Sequence, residues 1–168
     1  MKQLRTLLIL LLIMYSGNLF SQPQRQIGLR TGVRSGIFFQ ISDEIGNTET
    51  GYAAILGLNN GIHITGLRIL YKDNLTEISD ELFLSLGYGG HAGLIFTDHY
   101  AFLGEDYYFK GQRTLPVLGA DGWISAEYRF REIPLNISLN VKPFVELTVP
   151  SFVRIVPIDL GLTVTYVF

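Results

Sequence analysis

Residues 160–168 read LGLTVTYVF, and their alternation decides the fold. Leu160, Leu162, Val164, Tyr166 and Phe168 share one face of an extended chain; Gly161, Thr163, Thr165 and Val167 share the other. Successive side chains of a β-strand point to opposite faces, so this is a strand with one greasy side and one small, mostly polar side. The same period recurs elsewhere. In PLNISLNVKPFVEL, Leu135, Ile137, Leu139, Val141, Pro143, Val145 and Leu147 oppose Asn136, Ser138, Asn140, Lys142, Phe144 and Glu146. In DGWISAEYRF, Gly122, Ile124, Ala126, Tyr128 and Phe130 oppose Asp121, Trp123, Ser125, Glu127 and Arg129. Near the start, Leu29, Val33, Ile37, Phe39 and Ile41 oppose Gly28, Arg30, Gly32, Arg34, Gly36 and Gln40 as one strand.

Turn residues bound these runs. DEIGNTET closes the first strand, NNG at 59–61 marks a tight hairpin, Gly89 and Gly90 suggest another turn, and REIP at 131–134 a further one. The reading is all-β, with about eight antiparallel strands in an up-and-down meander. Short turns follow the even-numbered strands and share one end with both chain ends. Longer polar loops at 43–50, 72–80, 98–114 and 148–154 occupy the other. Short turns at one end and longer external loops at the other are the asymmetry of a transmembrane antiparallel up-and-down β-barrel. GLRIL at 66–70 breaks the alternation around Gly66 and leaves that strand's facing open.

Composition narrows the class. The chain has 168 residues, no cysteine, 17% charged residues and a formal charge of −2. An ordinary soluble protein carries roughly 25% charged residues. Disulfide frameworks and thiolate metal sites are excluded, and no basic stripe of the kind nucleic acid needs is present. Residues 1–21 read as a cleavable signal peptide: Lys2 and Arg5 precede the apolar run LLILLLIMY, too short to span a membrane as a helix, and SGNLFS follows. Residues 22–168 form the expected barrel domain.

Alternation also suits a soluble barrel, which turns its apolar face inward. Two features favour the inverse arrangement. Arg30 and Arg34 share a face with glycines 28, 32 and 36, which fits a narrow, filled interior better than a hydrated surface. Tyr128, Phe130, Tyr166 and Phe168 end two strands at one level, where a membrane barrel carries an aromatic girdle. The apolar faces are therefore expected to contact lipid.

The aromatic last residue, with apolar residues alternating back from it, resembles the C-terminal signature of bacterial outer-membrane β-barrel proteins. The "SQ" after the leader and YRFREIPLNISLNVKP further resemble small Bacteroidetes-type barrels, with an OmpA/OmpX-like eight-stranded architecture. The resemblance implies residence in the outer membrane of a Gram-negative cell, contact with outer-membrane lipid, and recognition of the strand ending at Phe168 by the barrel-assembly machinery. That family is largely without assigned activity.

Eight strands leave an interior just wide enough for side chains. The expected interior network is Arg30, Arg34, Asp121, Glu127, Arg129, Lys142 and Glu146, with acids and bases paired because confined unpaired charge is costly. A general porin is excluded on strand number. The leading reading is a monomeric structural or surface-interaction protein without cofactor or metal; His63 and His91 lack ligand spacing. One alternative is a lipid-modifying enzyme using His99, beside Asp98, with a loop serine such as Ser79. Another is an exported soluble barrel holding an apolar ligand. Tyr107, Tyr108 and Phe109 beside Lys110 and Arg113 extend a strand into an upper girdle or offer a loop-tip contact. Leu139→Arg should be costly, and replacement of Asn140 should matter much less.

Overall fold

The computed structural model describes residues 24–45, 48–72, 79–102, 105–148 and 152–168; the expected leader lies outside them. Ten strand segments form one antiparallel sheet: β1 (Gln24–Arg30), β2 (Gly36–Ile45), β3 (Thr48–Gly57), β4 (Gly61–Lys72), β5 (Leu82–Phe102), β6 (Glu105–Arg129), β7 (Leu135–Val141), β8 (Phe144–Thr148), β9 (Phe152–Val156) and β10 (Leu160–Val167). The order β5-β4-β3-β2-β1-β10-β7-β6 returns to β5 through a β5–β6 pairing, so the sheet closes on itself. Closure satisfies backbone groups that an open edge would leave unpaired.

Ten segments make eight barrel strands because two strands are interrupted. Pro143 lacks an N–H and separates β7 from β8, which both pair with β6. Across the break, Gly122 N–H donates to the Pro143 carbonyl (2.8 Å) and Lys142 N–H to the Asp159 carbonyl (2.9 Å). Pro157 and the residues after it separate β9 from β10 in the same way. The last strand locks to the first: Gln26 faces Val167, Arg30 faces Thr163, and Phe168 N–H donates to the Arg25 carbonyl (2.9 Å).

The all-β antiparallel barrel agrees with the sequence reading, and so does the strand number, but two boundaries differ in compensating ways. Residues 28–41 are not one strand. β1 and β2 are a hairpin turning through 31–35, with Gly32 at φ 135° and Ser35 Oγ donating to the Gly32 carbonyl (2.7 Å). This five-residue turn keeps Leu29, Val33 and Ile37 in phase, so the period hid it. Conversely, Gly89 and Gly90 do not turn. They lie inside the 21-residue β5, where a Cβ on Gly89 would come within 1.9 Å of the Gly66 carbonyl oxygen. Glycine there permits close backbone approach.

These shifts reassign the two ends. The NNG hairpin after β3, with Asn60 at φ 55°, lies at the end opposite the 130–134 turn, the start of β1 at Gln24 and Phe168, an end called terminal below. The connections after Ile45 and Lys72 share the terminal end, so the expected loops at 43–50 and 72–80 do not lie beside those at 98–114 and 148–154. Much of 98–114 is strand. Above the Gly61–Ile95 pair with β4 and the Val117–Thr148 pair with β8, β5 and β6 pair only with each other, as a two-stranded ribbon. The register between them shifts between Thr97 and His99.

β4 keeps strict alternation through Gly66. His63, Thr65, Leu67, Ile69 and Tyr71 are buried, whereas Ile62, Ile64 and Leu70 are exposed. Around the ring the outer wall is apolar: Leu29 (66% exposed), Ile64 (61%), Leu139 (55%) and Leu162 (45%) are typical. Arg30, Lys142, Glu146 and Asp159 are almost wholly buried. The barrel is therefore greasy outside and charged inside.

Candidate functional site: the barrel interior

β6 displays the interior in layers, because every second residue points inward. From the ribbon end down, it contributes Asp121, Trp123, Ser125, Glu127 and Arg129. Trp123 stacks on Phe38 of β2 at 5.9 Å with an interplanar angle of 19°. β2 and β6 stand opposite each other in the eight-strand ring, so this contact crosses the barrel axis. Ala53, Ile55, Leu67, Ile69 and Tyr71 complete an apolar layer around it.

Above that layer the charges interlock. Asp121 accepts from Lys142 Nζ (2.5 Å) and faces His91 Nδ1 (2.8 Å), while His91 Nε2 faces Glu146 Oε2 (3.3 Å). Glu146 also pairs with Arg34 and, at 3.4 Å, with Arg154 Nη1. Arg30 donates to Asn140 Oδ1 (2.8 Å), to Asp159 Oδ2 (3.1 Å) and to the Asp159 carbonyl (3.1 Å). Asp159 further accepts from Val33 N–H (2.7 Å), so the β9–β10 interruption holds the β1–β2 turn. Phe144 supplies a ring face to Arg34 (5.3 Å) and Lys142 (4.6 Å).

Below the apolar layer lies a second cluster. Arg129 binds Glu49 through both terminal nitrogens (2.9 Å each) and Glu127 through Nε (2.6 Å), with Phe83 under its guanidinium at 4.0 Å. A forked guanidinium–carboxylate pair is the strong form of this contact. Gln40 donates to Tyr71 Oη (2.6 Å), which reaches Glu127 at 3.3 Å.

Of the seven interior residues named from the sequence, Arg30, Arg34, Asp121, Lys142 and Glu146 meet in the upper cluster, and Glu127 and Arg129 in the lower. Tyr128, Phe130, Tyr166 and Phe168 are exposed on the outer wall at the terminal end. Sequence reasoning missed His91, Asp159, Asn140's double bonding and Glu49. His91 lies in phase with Ser85 on β5 and was hidden by the glycines read as a turn. Asp159 follows a proline break where no period operates, and Glu49 sits in a stretch read as loop. Asn140 is a correction: it accepts from Arg30 and donates to Thr163 Oγ1 (2.8 Å) with no exposure, so its replacement is not minor.

Ser79 and His99, considered together for catalysis, are separated along the chain by most of the length of β5. Ser79 Oγ donates to Glu81 Oε2 (2.6 Å) just before β5 begins. The His99 backbone lies opposite Tyr108 near the far end of that strand; its side chain, like those of Tyr107 and Phe109, lies outside the described residues.

No family model and no curated protein matches the chain. Among solved structures it is similar to the crystal structure of Acinetobacter baumannii CarO2, at 7% identity and a TM-score of 0.38, over 88% of this chain and 99% of that one.

At Gly119 the interior cluster crowds the backbone of β6. A Cβ there would come within 2.3 Å of His91 Cε1 and 2.5 Å of the Val145 carbonyl oxygen. Gly119→Ala is expected to destabilise the barrel by about 1–3 kcal/mol through overpacking. At Gly66 a Cβ meets nothing within 4 Å, and Gly66→Ala should change stability by less than about 0.5 kcal/mol. Urea midpoints of the refolded variants in vesicles check both.

Proposed function

We propose that this chain is an integral outer-membrane β-barrel with a closed interior, serving a structural or surface-interaction role. One observation carries the reading: a continuous apolar wall surrounds charges that have little or no exposure, the reverse of a water-soluble barrel. Exposed apolar surface of this extent has a natural solvent in hydrocarbon. Polar mainchain groups are paired around the ring, as a lipid-crossing backbone requires. The apolar layer through Phe38 and Trp123, with ion pairs above and below, leaves a plug rather than an aqueous path.

The projecting β5–β6 ribbon and the β8–β9 connection are the surfaces offered at the end away from the termini. β10, with Phe168 directly after it, is the segment for assembly-machinery recognition, in keeping with the C-terminal signature.

The refolded protein should migrate faster unheated than boiled on detergent gels and should give no steady conductance step in planar bilayers. Partition into the aqueous fraction without a heat-dependent shift would overturn the membrane reading. A stable ohmic conductance would overturn the closed interior.

A further inference from the structure

The apolar outer wall carries one charge that its surroundings do not explain. Between Arg25 and Asp43 near the terminal end and Asp98 on the ribbon, Arg68 is the sole charged residue among the described outward strand positions. Strand register fixes its neighbours: Tyr52 and Tyr88 lie directly beside it on β3 and β5. Both tyrosines are exposed. The guanidinium lies over the Tyr52 ring at 5.2 Å, and Nη1 donates to Tyr52 Oη at 2.5 Å. No described carboxylate forms an ion pair with it.

The row one outward step closer to the terminal end runs Asp43, Thr50, Leu70 and Leu86. Toward the terminal end Arg68 thus lies one outward step from a row that carries Asp43 and Thr50. On its other side four successive positions are small, Ala54, Gly66, Gly90 and Ala120, between Phe39 and Val145. The wall above the guanidinium is correspondingly low, with open space at Gly66.

We infer that Tyr52, Arg68 and Tyr88 form a binding site for the phosphodiester of an anionic phospholipid in the leaflet at the terminal end. The inference rests on the membrane reading above. The hydrogen-bond partner of Arg68 is a phenol rather than a carboxylate, and in a lipid-facing wall the complementary charge available is a headgroup phosphate. The chemistry fits. Guanidinium offers parallel N–H donors that match phosphate oxygens. Tyr52 Oη, already accepting from Arg68, keeps its own proton to donate to the same anion. This also accounts for the break in sequence alternation around Gly66: Arg68 occupies an outward position where a hydrophobe belongs.

The test uses native mass spectrometry of the purified barrel with phosphatidylglycerol or phosphatidylcholine, for the parent, Arg68→Gln and Tyr52→Phe. The parent should retain phosphatidylglycerol in preference to phosphatidylcholine. Arg68→Gln should lose about tenfold of that retention and Tyr52→Phe about threefold, as expected for loss of charge-assisted and hydroxyl bonds. Equal phosphatidylglycerol retention by parent and Arg68→Gln, or no preference by the parent, overturns the site. Heat-dependent gel mobility of all three proteins separates the two readings. A parent without it contradicts the membrane assignment, whereas a heat-shifted parent and a heat-shifted Arg68→Gln with equal retention contradict only the lipid site. If Arg68→Gln does not refold, Tyr52→Phe, which keeps ring and charge, decides by the same comparison.

Discussion

Asp121→Asn is expected to reduce barrel stability by about 3–5 kcal/mol, the cost of leaving a buried charge without its partner. Asp121 sits 2.5 Å from Lys142 Nζ and 2.8 Å from His91 Nδ1, and none of the three side chains has solvent exposure. The amide is nearly isosteric but neutral, so Lys142 is stranded in a confined interior. Arg131→Gln provides the contrast, since Arg131 and its partners Asp80 and Glu81 are 64%, 70% and 26% exposed. A surface pair of that kind contributes about 0–1 kcal/mol. Urea unfolding from vesicles, followed by the fluorescence of the single tryptophan, Trp123, reads both variants. An Asp121→Asn barrel as stable as the parent would mean that the interior is hydrated rather than closed.

Leu139→Arg is expected to cost about 2–4 kcal/mol, as an arginine does on the lipid face near mid-bilayer. Leu139 is 55% exposed, pairs with Leu162 and Ala126, and lies midway along β7 on the apolar wall. The penalty should fall to about 0–1 kcal/mol for Tyr166→Arg, at the terminal-end level where the side chain reaches headgroups. Depth dependence is the informative part. A soluble protein would tolerate both substitutions alike, since each would place a charge in water. The neighbouring Asn140 no longer serves as a mild control, because Arg30 and Thr163 both bond to it.

How much of this was legible follows from which physical signals are local. The facing of β7, β8 and β10 was readable because strand period is a property of consecutive residues: Leu139 out and Asn140 in, Val164 out and Thr165 in. The same locality caused both boundary differences. A five-residue turn at 31–35 preserved the phase, and Gly89–Gly90 imitated a turn while meeting the need for close contact with β4. In the interior, residue types were legible but partners were not. Arg129 bonds to Glu49, eighty positions away, and Arg30 to Asp159 across 129. Which acid meets which base depends on barrel shear and on the breaks at Pro143 and Pro157, and no local pattern encodes those. Arg68 was visible only as an irregularity; its neighbours Tyr52 and Tyr88 come from register.

The central claim is that greasy side chains contact hydrocarbon while hydrophilic ones point toward the axis. The chain has no cysteine, so single cysteines can be placed and spin-labelled without removing others. Labels at 160 to 166 of the vesicle-reconstituted protein should alternate in collision with dissolved oxygen. High oxygen and low nickel-chelate accessibility are expected at Leu160, Leu162 and Val164, with nickel-chelate accessibility rising only at Tyr166, and restricted motion with little oxygen at Gly161, Thr163 and Thr165. The opposite phase, or nickel-chelate accessibility along Leu160, Leu162 and Val164, would contradict the central claim.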